Sequence, residues 1–171
     1  AEYFADAGWD DLTIAFLVNP RQLPRIARLA KRITLNVLVD SLETTAALID
    51  ANGAGIASVW LKIDTGYGRT GLRWDDTESL VAVTRHIADA ENLNFGGLLT
   101  HAGHAYHANG SDELRAVHQQ TVKRLQIAQA DLTSAGLPAG KLSLGDTPTC
   151  SVISDFSSVD EIRPGNFVFY D

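Results

Sequence analysis

Lys62-Ile63-Asp64-Thr65-Gly66-Tyr67-Gly68-Arg69-Thr70-Gly71-Leu72 carries an apolar run into a glycine-rich turn and places a lysine, an aspartate and an arginine at the junction. Residues 57–64 read as a strand, so these side chains gather at a strand's carboxyl end. The three glycines let the backbone take positive φ and approach a ligand closely. Two readings follow: a site or the wall of one, or a tight connection capped by a surface arginine.

Outward from that stretch, strands and helices alternate. Residues 12–18, 34–39, 95–101 and 142–144 read as strands, and 159–162 lead into a last one at the apolar 167–170. Helices are expected at 20–31, with proline in the first turn, and at 41–51, capped by Asp40 or Ser41. Two more are expected at 76–91 and at 112–135, the latter ending at Gly136-Leu137-Pro138. Strands separated by helices imply right-handed parallel βαβ units. Six strands suit an open doubly wound sheet, but chemistry-bearing residues recur at successive carboxyl ends, as a (β/α)8 barrel requires. The expected fold is therefore α/β, a partial TIM-type barrel with its first two units missing. Residues 1–8 read as the last turns of a helix closed by Gly8, and with the strand-like end they suggest a piece of a longer chain.

Composition narrows the functions. A chain of 171 residues, 45% apolar and 20% charged, supports one globular core. A net charge of -7 leaves no basic stripe for nucleic acid or an acidic membrane. No apolar run has the roughly 20 residues of a membrane span. The single cysteine, Cys150, forbids an internal disulfide and suits a reducing compartment, the cytoplasm.

Three further clusters follow strands. Thr100-His101-Ala102-Gly103-His104-Ala105-Tyr106-His107 offers three histidines at a spacing of three, open to a zinc reading or to a hydrogen-bonded His101 that positions a ring. His86 and His118 fall on helices and read as solvated or packed side chains. Ser143-Leu144-Gly145-Asp146-Thr147-Pro148-Thr149 and Glu161-Ile162-Arg163-Pro164-Gly165-Asn166 supply hydroxyls, glycines and backbone donors. The last strand-to-helix loops of barrels commonly hold a phosphate with such groups, although both runs are also ordinary turn chemistry.

In this order, and over essentially the whole chain, the four motifs resemble the D-threonine aldolase and D-serine dehydratase family. That family belongs to the alanine-racemase-like, fold-type III pyridoxal-phosphate enzymes. The resemblance implies that residues 1–171 are part of one barrel domain binding pyridoxal 5'-phosphate, with a C-terminal β-rich domain absent from this chain. By the same resemblance, Thr147 holds the cofactor phosphate, Gly145 and Asp146 shape that turn, and Gly165 and Asn166 donate from its other side. Tyr106 lies close to the cofactor ring, Arg69 flanks it, His101 takes the strand-end histidine position, and Arg163 aligns with the arginine facing the pyridine nitrogen in racemases. Lys62 matches a structural lysine. The Schiff-base lysine, at the end of the first barrel strand, lies outside this chain, as do the residues for a divalent metal, zinc or manganese. No metal ligand is assigned here, and the piece alone is expected to be inactive.

The implied activity of the parent protein is that of a pyridoxal-phosphate-dependent lyase on a small D-amino acid with a 3-hydroxyl, by dehydration or retro-aldol cleavage. It is implied to be a homodimer. A racemase and a non-catalytic pyridoxal-phosphate carrier share the fold. A metal-dependent barrel hydrolase using His101, His104 and His107 is the remaining alternative.

Overall fold

The computed structural model describes residues 1–51 and 55–166, so the strand expected at 167–170 lies outside the described residues. A short helix α1 (Glu2–Asp6) precedes β1 (Asp11–Leu17), a 3-10 turn at Pro20–Gln22, α2 (Leu23–Ala30) and β2 (Thr34–Val39). Next come α3 (Leu42–Asp50), β3 (Ile56–Asp64), the two-residue β4 (Leu72–Arg73), α4 (Thr77–Ala88) and β5 (Phe95–His101). A 3-10 turn at Gly103–His107 leads to α5 (Ser111–Ser134), β6 (Lys141–Gly145), α6 (Thr147–Cys150) and β7 (Glu161–Ile162). The expected alternation is present.

Local chemistry explains the boundaries. Ser41, one of the two expected caps, accepts from the Thr44 N–H at 3.2 Å and starts α3, and Asp76 accepts from Ser79 at 3.1 Å to start α4. The helix expected at 20–31 opens instead as a 3-10 turn, because the Asn19 side chain takes the Arg21 N–H at 3.0 Å. Two elements have no sequence signature: β4, which pairs only with the end of β3, and the one-turn α6.

The sheet order is β1-β2-β3-β5-β6-β7, with β4 beside β3 and every pairing parallel. Each new long strand joins the same growing edge. A doubly wound sheet reverses its direction of growth once, so this order is that of a barrel wall and not of an open nucleotide-binding sheet. Among the described residues no helix is long and apolar enough to cross a membrane.

Side-chain alternation divides the sheet into two faces. Val37, Val39, Val59, Leu61, Ile63, Leu98 and Leu142 face the helices and pack with Leu48, Leu80, Val83, Ile87, Leu125 and Leu132, all buried. The other face carries a small apolar floor of Leu38, Trp60 and Leu99, against which Leu17 packs. Asn36, Ser58, Lys62, His101, Ser143 and Glu161 share that face's parity and are polar. They begin a hydrogen-bonded chain, in which the Trp60 indole donates to Ser58 Oγ at 3.0 Å and Ser58 donates to Asn36 Oδ1 at 2.6 Å.

The β5–β6 seam depends on one missing side chain. Gly97 has φ of +147°, and a Cβ there would lie inside the backbone of Lys141. Gly97→Ala is therefore expected to lose more stability in urea titrations than Leu98→Ala, whose core truncation costs about 2–5 kcal/mol.

Candidate functional site at the carboxyl ends of the strands

The Asp64 carboxylate turns the glycine-rich stretch into a closed loop. Its Oδ1 accepts the N–H groups of Gly66, Tyr67 and Gly68 at 2.9, 2.9 and 3.1 Å. Gly66, Gly68 and Gly71 all have positive φ, and a Cβ on Gly71 would come within 2.8 Å of the Lys62 carbonyl oxygen. Asp64 thus serves the backbone, while Tyr67 and Arg69 are carried on the loop with the Arg69 guanidinium 5.3 Å from the Tyr67 ring centre.

Lys62 lies on the inner face of β3 and is 5% exposed. Burial lowers its pKa to about 7, and the cations of Arg163 and Arg69 push the same way against the pull of Asp64 and Asp40. An amine with that pKa is about half protonated at neutrality and loses its charge as pH rises further.

Arg163 is the hub of the site. Its Nε donates to Ser143 Oγ at 2.7 Å and lies 3.2 Å from Glu161 Oε1, and its second terminal nitrogen donates to the carbonyls of Thr100 at 2.6 Å and Ser143 at 3.2 Å. Ser143 in turn hydrogen-bonds Glu161. Burial pushes the guanidinium pKa down while Glu161 opposes it. Gly145 admits the group, since a Cβ there would stand 2.8 Å from Arg163 Nη1.

His101 ends β5 with Nδ1 2.8 Å from the Gly145 carbonyl oxygen. A carbonyl only accepts, so the proton is on Nδ1 and Nε2 is the bare acceptor. Burial lowers the pKa of His101, as do Arg69 and Lys62, which favours this neutral form. Tyr67 meets the imidazole edge-on at 5.8 Å between ring centres, and Tyr106 stands tilted at 6.3 Å.

Beyond β6, Asp146 caps α6, accepting the Thr149 N–H at 2.7 Å and its hydroxyl at 2.8 Å. The carboxylate shapes the turn and is spent there. Thr147 Oγ1 accepts the Asn166 N–H at 2.9 Å, which joins the two last loops and leaves the Thr147 proton free to donate. Asn166 Nδ2 donates to the Tyr106 hydroxyl at 3.2 Å, and no atom lies within 4 Å of a Cβ built on Gly165. His101, Tyr106, Gly145, Thr147, Arg163 and Asn166 are therefore linked by direct contacts, with Asp146 and Gly165 in the same loops. Arg69 joins them through Tyr67.

The three-histidine metal site does not form. His107 is exposed, both ring nitrogens of His104 are buried without a partner, and among the described residues no three His, Cys, Asp or Glu side chains converge on a point. His104 and His107 share the 3-10 turn, where a spacing of three stacks side chains along one face, but His101 ends β5 and His107 is turned out to solvent, so the three rings do not meet. Sequence reading passed over Tyr67, Ser143 and Glu161. Tyr67 stands inside the opening motif, and strand parity identifies the other two as inward-facing.

Cations, hydroxyls and open backbone at the carboxyl ends of a barrel-wound parallel sheet define the ligand-binding part of a TIM-type barrel. The chain belongs to the alanine racemase N-terminal domain family, which it matches over residues 1–171. It is 35% identical over 175 residues to the D-threo-3-hydroxyaspartate dehydratase of Delftia sp. (strain HT23), a match covering 100% of this chain and 46% of that protein. The solved structure of that dehydratase superposes on 99% of this chain with a TM-score of 0.91. D-serine dehydratase of Dictyostelium discoideum is 28% identical, over 98% of this chain and 46% of its own length. The structure of D-threonine aldolase from Filomicrobium marinum, 27% identical, gives a TM-score of 0.86 over 98% of this chain and 46% of that one. The chain spans less than half the length of these relatives.

The buried amine supplies a pH test. Between its folded value near 7 and the ordinary 10.5, the unfolded chain holds one more proton at Lys62 than the fold does, so stability rises with pH across that window. The contribution is complete above 10.5 and is lost as pH falls through about 7. Lys62→Met removes the buried charge, so its gain in Tm over the native protein is expected to be larger near about pH 6 than near about pH 9, in melts followed by circular dichroism.

Proposed function

We propose that residues 1–171 are part of one pyridoxal 5'-phosphate-binding barrel domain of a lyase acting on D-amino acids that carry a 3-hydroxyl. The convergence of Thr147, Gly165 and Asn166 with Arg163, His101 and Tyr106 carries this reading. The donor set fits the cofactor. The Thr147 hydroxyl has a free proton for a phosphate oxygen, Gly165 leaves room for close approach, and Arg69 and Arg163 make the site positive.

Pyridoxal phosphate, when bound, draws off the electrons released at Cα of an amino acid, whichever bond to that carbon breaks. The residues of this chain bind, orient and hold protons. Thr147, with Gly145, Asp146, Gly165 and Asn166 building its turn, receives the phosphate. Arg163 keeps its guanidinium fixed by three strand ends, and Gly145 lets it stand against β6. Bare Nε2 of His101 accepts a hydrogen bond or a proton on the inner face. Arg69 adds positive charge for the substrate carboxylate, and Tyr106 is held by Asn166 beside the ring site.

The choice of a 3-hydroxy D-amino acid rests on relatives whose names specify D-threo-3-hydroxyaspartate, D-serine and D-threonine. One solved mutant of a D-threo-3-hydroxyaspartate dehydratase is described as being in the metal-free form. In line with this, the proposed parent protein uses a divalent metal, zinc or manganese, held by residues outside this chain. A β-rich C-terminal domain, a homodimer and a cytoplasmic setting complete the proposal.

Borohydride reduction of the full-length protein with added cofactor, followed by peptide mapping, tests it. A pyridoxyl-lysine and turnover of D-serine, D-threonine or 3-hydroxy-D-aspartate are the expected results. Absence of any pyridoxyl-lysine refutes the cofactor assignment. Thr147→Ala should weaken pyridoxal phosphate binding by the roughly 1.5–3 kcal/mol of a hydrogen bond to a charged group, with Thr147→Ser restoring it, as read by absorbance titration.

A further inference from the structure

From the contacts of the 65–71 loop we infer that Tyr67 is a positioning residue for His101, a ring clamped in place as one wall of the imidazole's seat. Three independent features hold it. The Tyr67 N–H is bound by the Asp64 carboxylate at 2.9 Å, which fixes where the side chain leaves the backbone. The Arg69 guanidinium covers the ring at 5.3 Å. The ring also lies so close to Gly103 that a Cβ there would overlap Cε1, Cδ1 and Cζ of Tyr67.

Gly103 therefore has a reason to be glycine other than backbone freedom, because it makes room for an aromatic ring from a different loop. The ring meets the imidazole edge-on, at 75° between planes. That geometry is the favourable one for two aromatic groups, and it closes one side of His101 to water. The single hydrogen bond from Nδ1 to Gly145 leaves the imidazole free to pivot about that bond, and Tyr67 removes that freedom. The seat itself needs no cofactor; only its consequence, an Nε2 held at a constant place for the reacting amino acid, rests on the proposed function. The two ideas can fail separately.

Carbethoxylation of His101 by diethyl pyrocarbonate, mapped by peptide mass spectrometry in the purified protein without added cofactor, tests the seat. Exposed His86 and His107 serve as internal references. Tyr67→Phe keeps the ring and should leave the His101 rate unchanged. Tyr67→Ala and Gly103→Ala, the second by pushing the ring aside, should each raise it several-fold relative to the references. In the Tyr67→Ala background, Gly103→Ala should add nothing, since the collision is gone. Equal His101 rates in native and Tyr67→Ala proteins, or an undiminished Gly103→Ala effect in that background, overturn the inference, as does a Tyr67→Phe rate as high as that of Tyr67→Ala. Circular dichroism checks each fold, and Tyr67→Val replaces Tyr67→Ala should the latter not fold. A protein that gives these results yet binds no pyridoxal phosphate keeps the seat and loses the proposed function.

Discussion

The guanidinium of Arg163 ties the carboxyl ends of three strands together, and the geometry of the site follows from what a partly buried cation demands. Its acceptors come from β5 at the Thr100 carbonyl, from β6 at the Ser143 carbonyl and hydroxyl, and from β7 at Glu161. A buried charge left without such partners costs several kcal/mol, so the three strand ends cannot slide relative to one another without losing acceptors. Gly145 belongs to the same constraint. With any side chain there, Arg163 could not reach across β6, and the Gly145 carbonyl that orients His101 would move as well. One cation thus sets both strand register and imidazole orientation.

Much of this architecture was readable from residue order, because the strand and helix periods differ and the strands fell where their apolar runs did. The match is closest at residues 34–39 and 95–101, read as strands and found as β2 and β5 at those bounds. The pattern fails where a local hydrogen bond outcompetes periodicity. Asn19 converts the start of a helix into a 3-10 turn, and Asp146 with two threonine groups folds a one-turn helix that has no room for a periodic signal. For β4, two residues pair with β3 only because the Asp64 carboxylate gathers the intervening loop. A long-range consequence of one side chain leaves no trace in a window of sequence.

The site was legible in parts and opaque in its wiring. Clusters at strand ends pointed to the right loops, and the resemblance selected residues among them. What neither supplied was the division of labour: Asp64 and Asp146 look like acids available for chemistry, yet each spends its oxygens on local N–H groups or hydroxyls. The histidine run shows the same limit from the other side. Regular spacing suggests convergence, but convergence needs a backbone that turns the side chains inward, and only His101, on a strand facing the inner wall, has one.

Polarity of the inner wall explains why chemistry is confined to one end of it. Leu38, Trp60 and Leu99 form a floor that offers a ligand no donor or acceptor except the indole, and that N–H is taken by Ser58. Past the floor, toward the carboxyl ends, the same face turns to Lys62, His101, Ser143, Glu161 and Arg163. Charges there are tolerated because strand-end carbonyls and short loops provide partners that the middle of a sheet, with its backbone groups already paired, cannot. Burial then acts on what remains. Burial and the two arginines lower the pKa of Lys62 to about 7, while Arg163 is surrounded by acceptors and by Glu161, which opposes the effect of burial. The result is a fixed cation, an amine that titrates at about 7 and an imidazole with one bare nitrogen within a single layer, and that combination can bind an anion and accept a proton without rearranging.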